Sequence, residues 1–335
     1  MRRKSRIAVG LIILLVAGFF GYTLWSEHYA RKSLQVIVVK DISTVEPGLG
    51  LRVLHEKGYA GKGINVAIID GLLLETHEEF ADSLVHLEIV GSVMEEDHYH
   101  GTTVASILTG KLCGVVPQAR LHFFATNFAE ESNVLVALER LLAYNETLEA
   151  EEKIRFVNIS TGLRQEQDAF QSLVEKAWDQ GIIVFTSTMP TMTDPPFALR
   201  EAAYVDKANM NQLDNIVIGD WMNEFLKQNN MTREELVRIR ETNDLENGYV
   251  SLYLPCSGRY VASHVESNGY VLDNEGGLSW GTPFLTGLAA LASSVNPSLT
   301  NEQVLSLLQR SIIRNDKGLD IIDPQILVSL GGSSS

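Results

Sequence analysis

The feature that most constrains this chain is its alternation of short, almost wholly apolar runs with amphipathic stretches. INVAIID (64–70), HLEIVGSV (86–93), RLHFFAT (120–126), IRFVNIS (154–160), GIIVFTS (181–187) and NIVIGD (215–220) read as strands. Between most of them lie helical patterns such as TVASILTG, SNVLVALERLLAY and DAFQSLVEKAWDQ. A strand with no polar face must be covered on both sides, and helices between such strands supply the cover. The expectation is an α/β three-layer sandwich, a mainly parallel sheet with helices on both faces. A polar stretch at about 205–248 reads as an insertion, with Thr232 and Glu235 placed as a capping box at the start of a helix.

The N-terminus adds a second expectation. Residues 7–25 form an uncharged apolar run, and MRRKSR precedes it. Nineteen such residues in a helix reach about 28 Å, near the thickness of a hydrocarbon core, and a basic flank stays cytoplasmic. The reading is a cytoplasmic segment 1–6, a transmembrane signal anchor 7–25, a stalk 26–45, a main domain 46–330 and a disordered tail 331–335. It makes a single-pass membrane protein whose C-terminal domain lies outside the cytoplasm.

Composition excludes some functions. Four of the 27 basic residues and none of the 42 acidic ones fall in residues 1–25, so the remainder carries −19. Such a field repels phosphate backbones, and nucleic acid is not an expected partner. For the two cysteines, Cys113 and Cys256, independent buried thiols are the default expectation, and a disulfide, which an extracytoplasmic location permits, is the alternative. His98 and His100 form an H-x-H pair with His77 upstream, but no third ligand of matching spacing follows, and no metal or cofactor is expected.

In parallel sheets chemistry gathers where strands end and helices begin. Asp70 ends one strand, His100 opens one helix and Ser279 opens a long helix rich in small residues. Carboxylate, imidazole and hydroxyl are the three groups that acyl transfer through a serine requires. The local sequences GKGINVAIIDG, HGTTVASILTG, GVVPQARL, VNISTG and LSWGTPFLTGLAALASSVNPSLTNEQVLSLL together resemble the subtilisin-like serine proteases, in that family's order, over roughly residues 45–315.

The resemblance implies a subtilisin-like fold and a serine endopeptidase acting on peptide or protein substrates, membrane-proximal ones included. Asp70, His100 and Ser279 match the catalytic triad, and Ser160, Thr161 and Gly162 match the segment lining the primary specificity pocket. The stretch around Ala129–Ser132 matches the strand that pairs with substrate. Departures accompany these matches. Met189-Pro190 stands where the family has Gly-Asn, and proline has no N–H to give an oxyanion. In subtilisin itself, losing that donor costs about 10²–10³ in kcat. The Ser279 amide, with Thr188 or Thr191 as a second hydroxyl donor, is the candidate replacement. The segment His100–Pro117 is too short for the loop that commonly holds structural calcium, and 26–45 is too short for a chaperone propeptide. The expected enzyme is slow and selective; the alternative is a pseudoprotease that binds a partner without cutting it.

Overall fold

Strands buried on both faces must place alternate side chains in different cores, and that is how this chain is organised. The computed structural model describes residues 38–39, 44–93, 98–163, 165–187, 196–274 and 276–333. The chain divides into Met1–Val38 and Val39–Ser335, and the second unit is described here. Helix α1 (Leu51–Glu56) leads into β1 (Asn65–Asp70), β2 (Leu84–Ile89) and α2 (Tyr99–Thr109). Next come β3 (Arg120–Ala125), α3 (Glu131–Thr147), β4 (Ile154–Ile159), α4 (Gln167–Asp179) and β5 (Ile183–Thr186).

These five strands form one sheet in the order β2-β3-β1-β4-β5. Every pairing in it is parallel, with Asn65 opposite Arg120 and Asp70 opposite Ala125. Each of the six residues of β1 is buried. Val66 and Ile68 join a core with Val104, Ile107 and Leu108 of α2. Ala67 and Ile69 join another with Val134, Leu138 and Leu141 of α3 and Phe170 and Leu173 of α4. The period of two along the strand thus divides one run of apolar residues between two layers.

The C-terminal half continues with β6 (Phe197–Tyr204), β7 (Ile216–Val217), α5 (Asn223–Gln228), α6 (Arg233–Glu246) and β8 (Val250–Ser257). It then forms β9 (Arg259–Ala262), β10 (Tyr270–Asp273), α7 (Leu278–Val295), α8 (Asn301–Arg310), β11 (Ile312–Arg314), β12 (Asp320–Ile322) and α9 (Pro324–Gly332). β6 pairs with β8 in parallel and with β7 antiparallel, while β9–β10 and β11–β12 are antiparallel pairs. α6 begins with the anticipated Thr232/Glu235 capping box, and α8 carries a second one from Thr300 and Gln303. Helix α7 belongs to the same core as α2. α2 and α7 thus cover one face of the sheet, and α3 and α4 the other.

The predicted α/β architecture of a parallel sheet between helices is present. The membrane topology requires correction. Among the described residues no helix is long and apolar enough to cross a membrane, so a single-pass anchor is not supported. The stretch 7–25, on which that reading rested, lies outside the described residues, as do segments 1–6 and 26–37. Cys113 and Cys256 are free and buried, as two independent thiols should be. The last helix extends to Gly332, into the first part of the GGSSS end.

Candidate active site

Asp70 is the last residue of β1, and its side chain meets the loop and helix that follow. Its Oδ1 accepts the Gly71 amide at 2.7 Å and the His100 Nδ1–H at 2.6 Å. The pair is withdrawn from water, with side-chain exposure of 1% for each partner. A carboxylate bonded to Nδ1 fixes the imidazole tautomer that leaves Nε2 as the basic nitrogen.

Gly101 is what lets the two residues meet. A Cβ there would lie 2.5 Å from the Leu72 carbonyl oxygen and 2.6 Å from that of Gly71. Without it, the first turn of α2 rests on the backbone that follows Asp70. The Leu74 amide closes the contact by donating to Thr102 Oγ1 at 2.9 Å. The His100 ring lies parallel to Phe128, at 4.5 Å between centroids, and 4.9 Å from the Trp280 ring.

Ser279 is the second residue of α7, half-buried, immediately before Trp280. Pro283 stands four residues on and has no N–H, so the Ser279 carbonyl loses its regular i+4 helical donor. Ser160, just beyond the end of β4, supplies one: its hydroxyl donates to the Ser279 carbonyl at 2.8 Å. The Ser279 hydroxyl donates in return to the Ser160 carbonyl at 2.9 Å. Asn158 Nδ2 donates to Ser160 Oγ at 3.0 Å, and Thr286 of α7 donates to Asn158 Oδ1 at 3.3 Å. Thr161 and Gly162 follow at the same strand end, half-buried.

The structure therefore joins Asp70 to His100 and Ser160 to Ser279, and Trp280 brings the start of α7 against the His100 ring. Thr188, Met189, Pro190 and Thr191 lie outside the described residues. His77 has a structural role, its Nδ1 accepting the Glu79 amide and its Nε2 facing the Gly269 carbonyl. Among the described residues no group of three His, Cys, Asp or Glu side chains is placed to hold a metal ion.

One neighbour of the site was not found from the sequence. Glu201 of β6 accepts the Leu278 amide at 3.1 Å, one residue before Ser279. Burial raises its carboxyl above the usual range, against the lowering effect of that bond. The first four amides of a helix have no intrahelical acceptor, so this end of α7 attracts negative charge. A lone acid inside the apolar run FALREAAYV was the available signal.

No known family model matches the chain. Curated relatives do. Subtilisin-like protease 3 of Plasmodium falciparum (isolate 3D7) is 23% identical over 228 residues, 65% of this chain and 28% of that protein. The likeness is to the subtilases. Subtilisin-like protease 1 of Plasmodium berghei (strain Anka) is 20% identical over 65% of this chain and 36% of its own length. Serine protease AprX of Bacillus subtilis (strain 168) is 25% identical over 79% and 64%. The chain thus spans less than two thirds of the length of each of these relatives.

Two solved structures share the fold. The prenylagaramide maturation protease PagA has a TM-score of 0.54 at 16% identity, covering 85% of this chain and 99% of that one. A structure of the subtilase cytotoxin SubAB gives 0.57 at 14% identity, covering 86% and 95%. The fold is subtilase-like, and the resemblance drawn from the five sequence blocks stands as one to divergent subtilases.

Proposed function

We propose that this chain is a subtilisin-like serine endopeptidase, with residues 46–330 as its catalytic domain and about 205–248 as an insertion. The observation that carries the reading is the buried His100–Asp70 pair, 2.6 Å apart, set against the N-terminal turn of α7 that bears Ser279. Ser279 Oγ attacks the substrate carbonyl after turning from the Ser160 oxygen. His100 Nε2 takes its proton, and Asp70 stabilises the imidazolium. The proton then passes from His100 to the leaving amine, and water repeats the sequence on the acyl-enzyme. The oxyanion rests on the amides at the start of α7, Ser279 foremost, with Thr188 or Thr191 as second donor. Ser160, Thr161 and Gly162 border the pocket for the residue before the scissile bond. Cleavage is slow and selective, because the Ser279 hydroxyl starts on Ser160 and the family's asparagine is replaced.

A fluorophosphonate reports nucleophile activation without knowledge of the substrate. The full chain should be labelled, and its Ser279→Ala variant should not. Well-folded protein that takes no label would sink the peptidase reading and leave a partner-binding subtilase-like domain in its place.

A further inference from the structure

Tyr99 precedes His100 and Trp280 follows Ser279, and their polar ends converge on one oxygen. Asp273, the last residue of β10, accepts the Tyr99 hydroxyl at 2.6 Å and the Trp280 Nε1–H at 3.1 Å, both on Oδ2. Asp273 as a whole is 4% exposed. Its cross-strand partner in the hairpin is Arg259, wholly buried, whose charge faces the phenyl ring of Phe284 at 5.4 Å. The Trp280 ring lies 5.8 Å from Tyr99 and 4.9 Å from His100. One acid thus reaches the neighbours of both the general base and the nucleophile.

Apolar packing holds α2 and α7 on the same face of the sheet, but burial is non-directional and leaves small rotations and slides cheap. Hydrogen bonds to a charged oxygen in a dry setting fix both distance and angle. Burying a carboxylate costs several kcal/mol unless donors and an opposite charge compensate it. Here the donors come from the two helices that carry the proposed base and nucleophile, and the cross-strand neighbour Arg259 adds a nearby positive charge without forming an ion pair with Asp273.

We propose that Asp273 is a positioning residue that ties the first turn of α2 to the first turn of α7 and so sets His100 against Ser279. This rests on the peptidase reading above. The test uses the full chain with two readouts. One is the rate of fluorophosphonate labelling at Ser279. The other is the low-field proton resonance of the His100 Nδ1–H, which needs no turnover. Tyr99→Phe combined with Trp280→Phe removes both donors and keeps an aromatic ring at each position, the second smaller than the indole it replaces. This double variant should label about tenfold more slowly, short of the roughly 10²-fold cost of a 1 Å misplacement, and should broaden or shift the His100 resonance. Asp273→Asn keeps an acceptor oxygen for the two donors but loses the charge, and should slow labelling by less than the double variant does.

A double variant that labels at the parental rate with an unchanged resonance overturns the proposal. So does a loss that merely tracks a fall in melting temperature and is no smaller in Asp273→Asn. If the double variant fails to fold, each single substitution carries the same comparison. If the parent takes no label, the peptidase reading falls, and an unchanged resonance in the double variant then overturns the tie by itself.

Discussion

Asp70 spends one oxygen on two donors, and that economy makes its replacement by asparagine informative. Oδ1 holds both the Gly71 amide and the His100 Nδ1–H. An asparagine keeps the shape but loses the charge that stabilises the imidazolium, and it can turn an NH₂ toward the ring and favour the wrong tautomer. Asp70→Asn should therefore lower labelling or peptidase turnover by about 10⁴-fold, with an unchanged fold by circular dichroism. A loss of less than about tenfold would mean that the pair does not govern the nucleophile. At this scale the sequence offered candidates where a reactive side chain sat inside a local pattern. Asp70, His100, Ser160 and Ser279 lie in runs with recognisable neighbours on both sides. Asp273 and Glu201 do not, because each acts on a residue far along the chain. Asp273 meets Tyr99 across 174 positions, and Glu201 meets Leu278 across 77.

At the scale of the element, the two helices that carry the site depend on missing side-chain volume. Gly101 faces the backbone of Gly71 and Leu72, which cannot give way without moving Asp70. Gly101→Ala should cost about 1–3 kcal/mol by denaturant unfolding, the usual price of overpacking. It should also slow labelling of Ser279 by more than that loss explains, since it lifts α2 off the Asp70 loop. Labelling at the parental rate would show that the contact tolerates movement. Apolar runs marked the places of β1 to β5, although His86 and Glu88 interrupt the edge strand β2, which begins at Leu84, two residues ahead of the expected 86–93. Element reading from the sequence reduced β7 to a guess of the right place and excessive length, for NIVIGD holds a strand of two residues. It missed β6 and β8 altogether. Arg200 and Glu201 break the apolar run of β6, and both are occupied, Arg200 on Asp244 and Glu201 on Leu278. Pro255 breaks β8, where the register against β6 shifts between Ala202 and Ala203.

For the whole molecule, two buried groups push stability in opposite directions with pH. Burial pushes the His122 imidazole down to about 4, with the nearby charges of His86 and Arg120 adding to it. The unfolded chain takes up that proton first, so stability is full above the ordinary imidazole range and is lost as pH falls toward 4. Glu79 behaves in reverse. Burial raises its carboxyl despite bonds from the Tyr270 hydroxyl and the amides of Leu112 and Cys113. Its contribution is full below the ordinary carboxylate range and fades as pH rises through the raised value. Denaturant midpoints measured across pH should therefore show a flatter acid limb in His122→Asn and a flatter decline above the ordinary carboxylate range in Glu79→Gln. Midpoints that move in parallel with the parent at every pH would contradict both assignments.

The two cysteines give the molecule a property unconnected with the proposed site. Cys113, in the loop held by Glu79, and Cys256, at the end of β8, are wholly buried in the same core. Burial also pushes both thiols up, so neither is a thiolate while the core is closed. A thiol reagent can reach them when that core parts. The pace of their modification is then a clock for how often the folded molecule breathes, one hand on the α2 side and the other on the strand beneath α7.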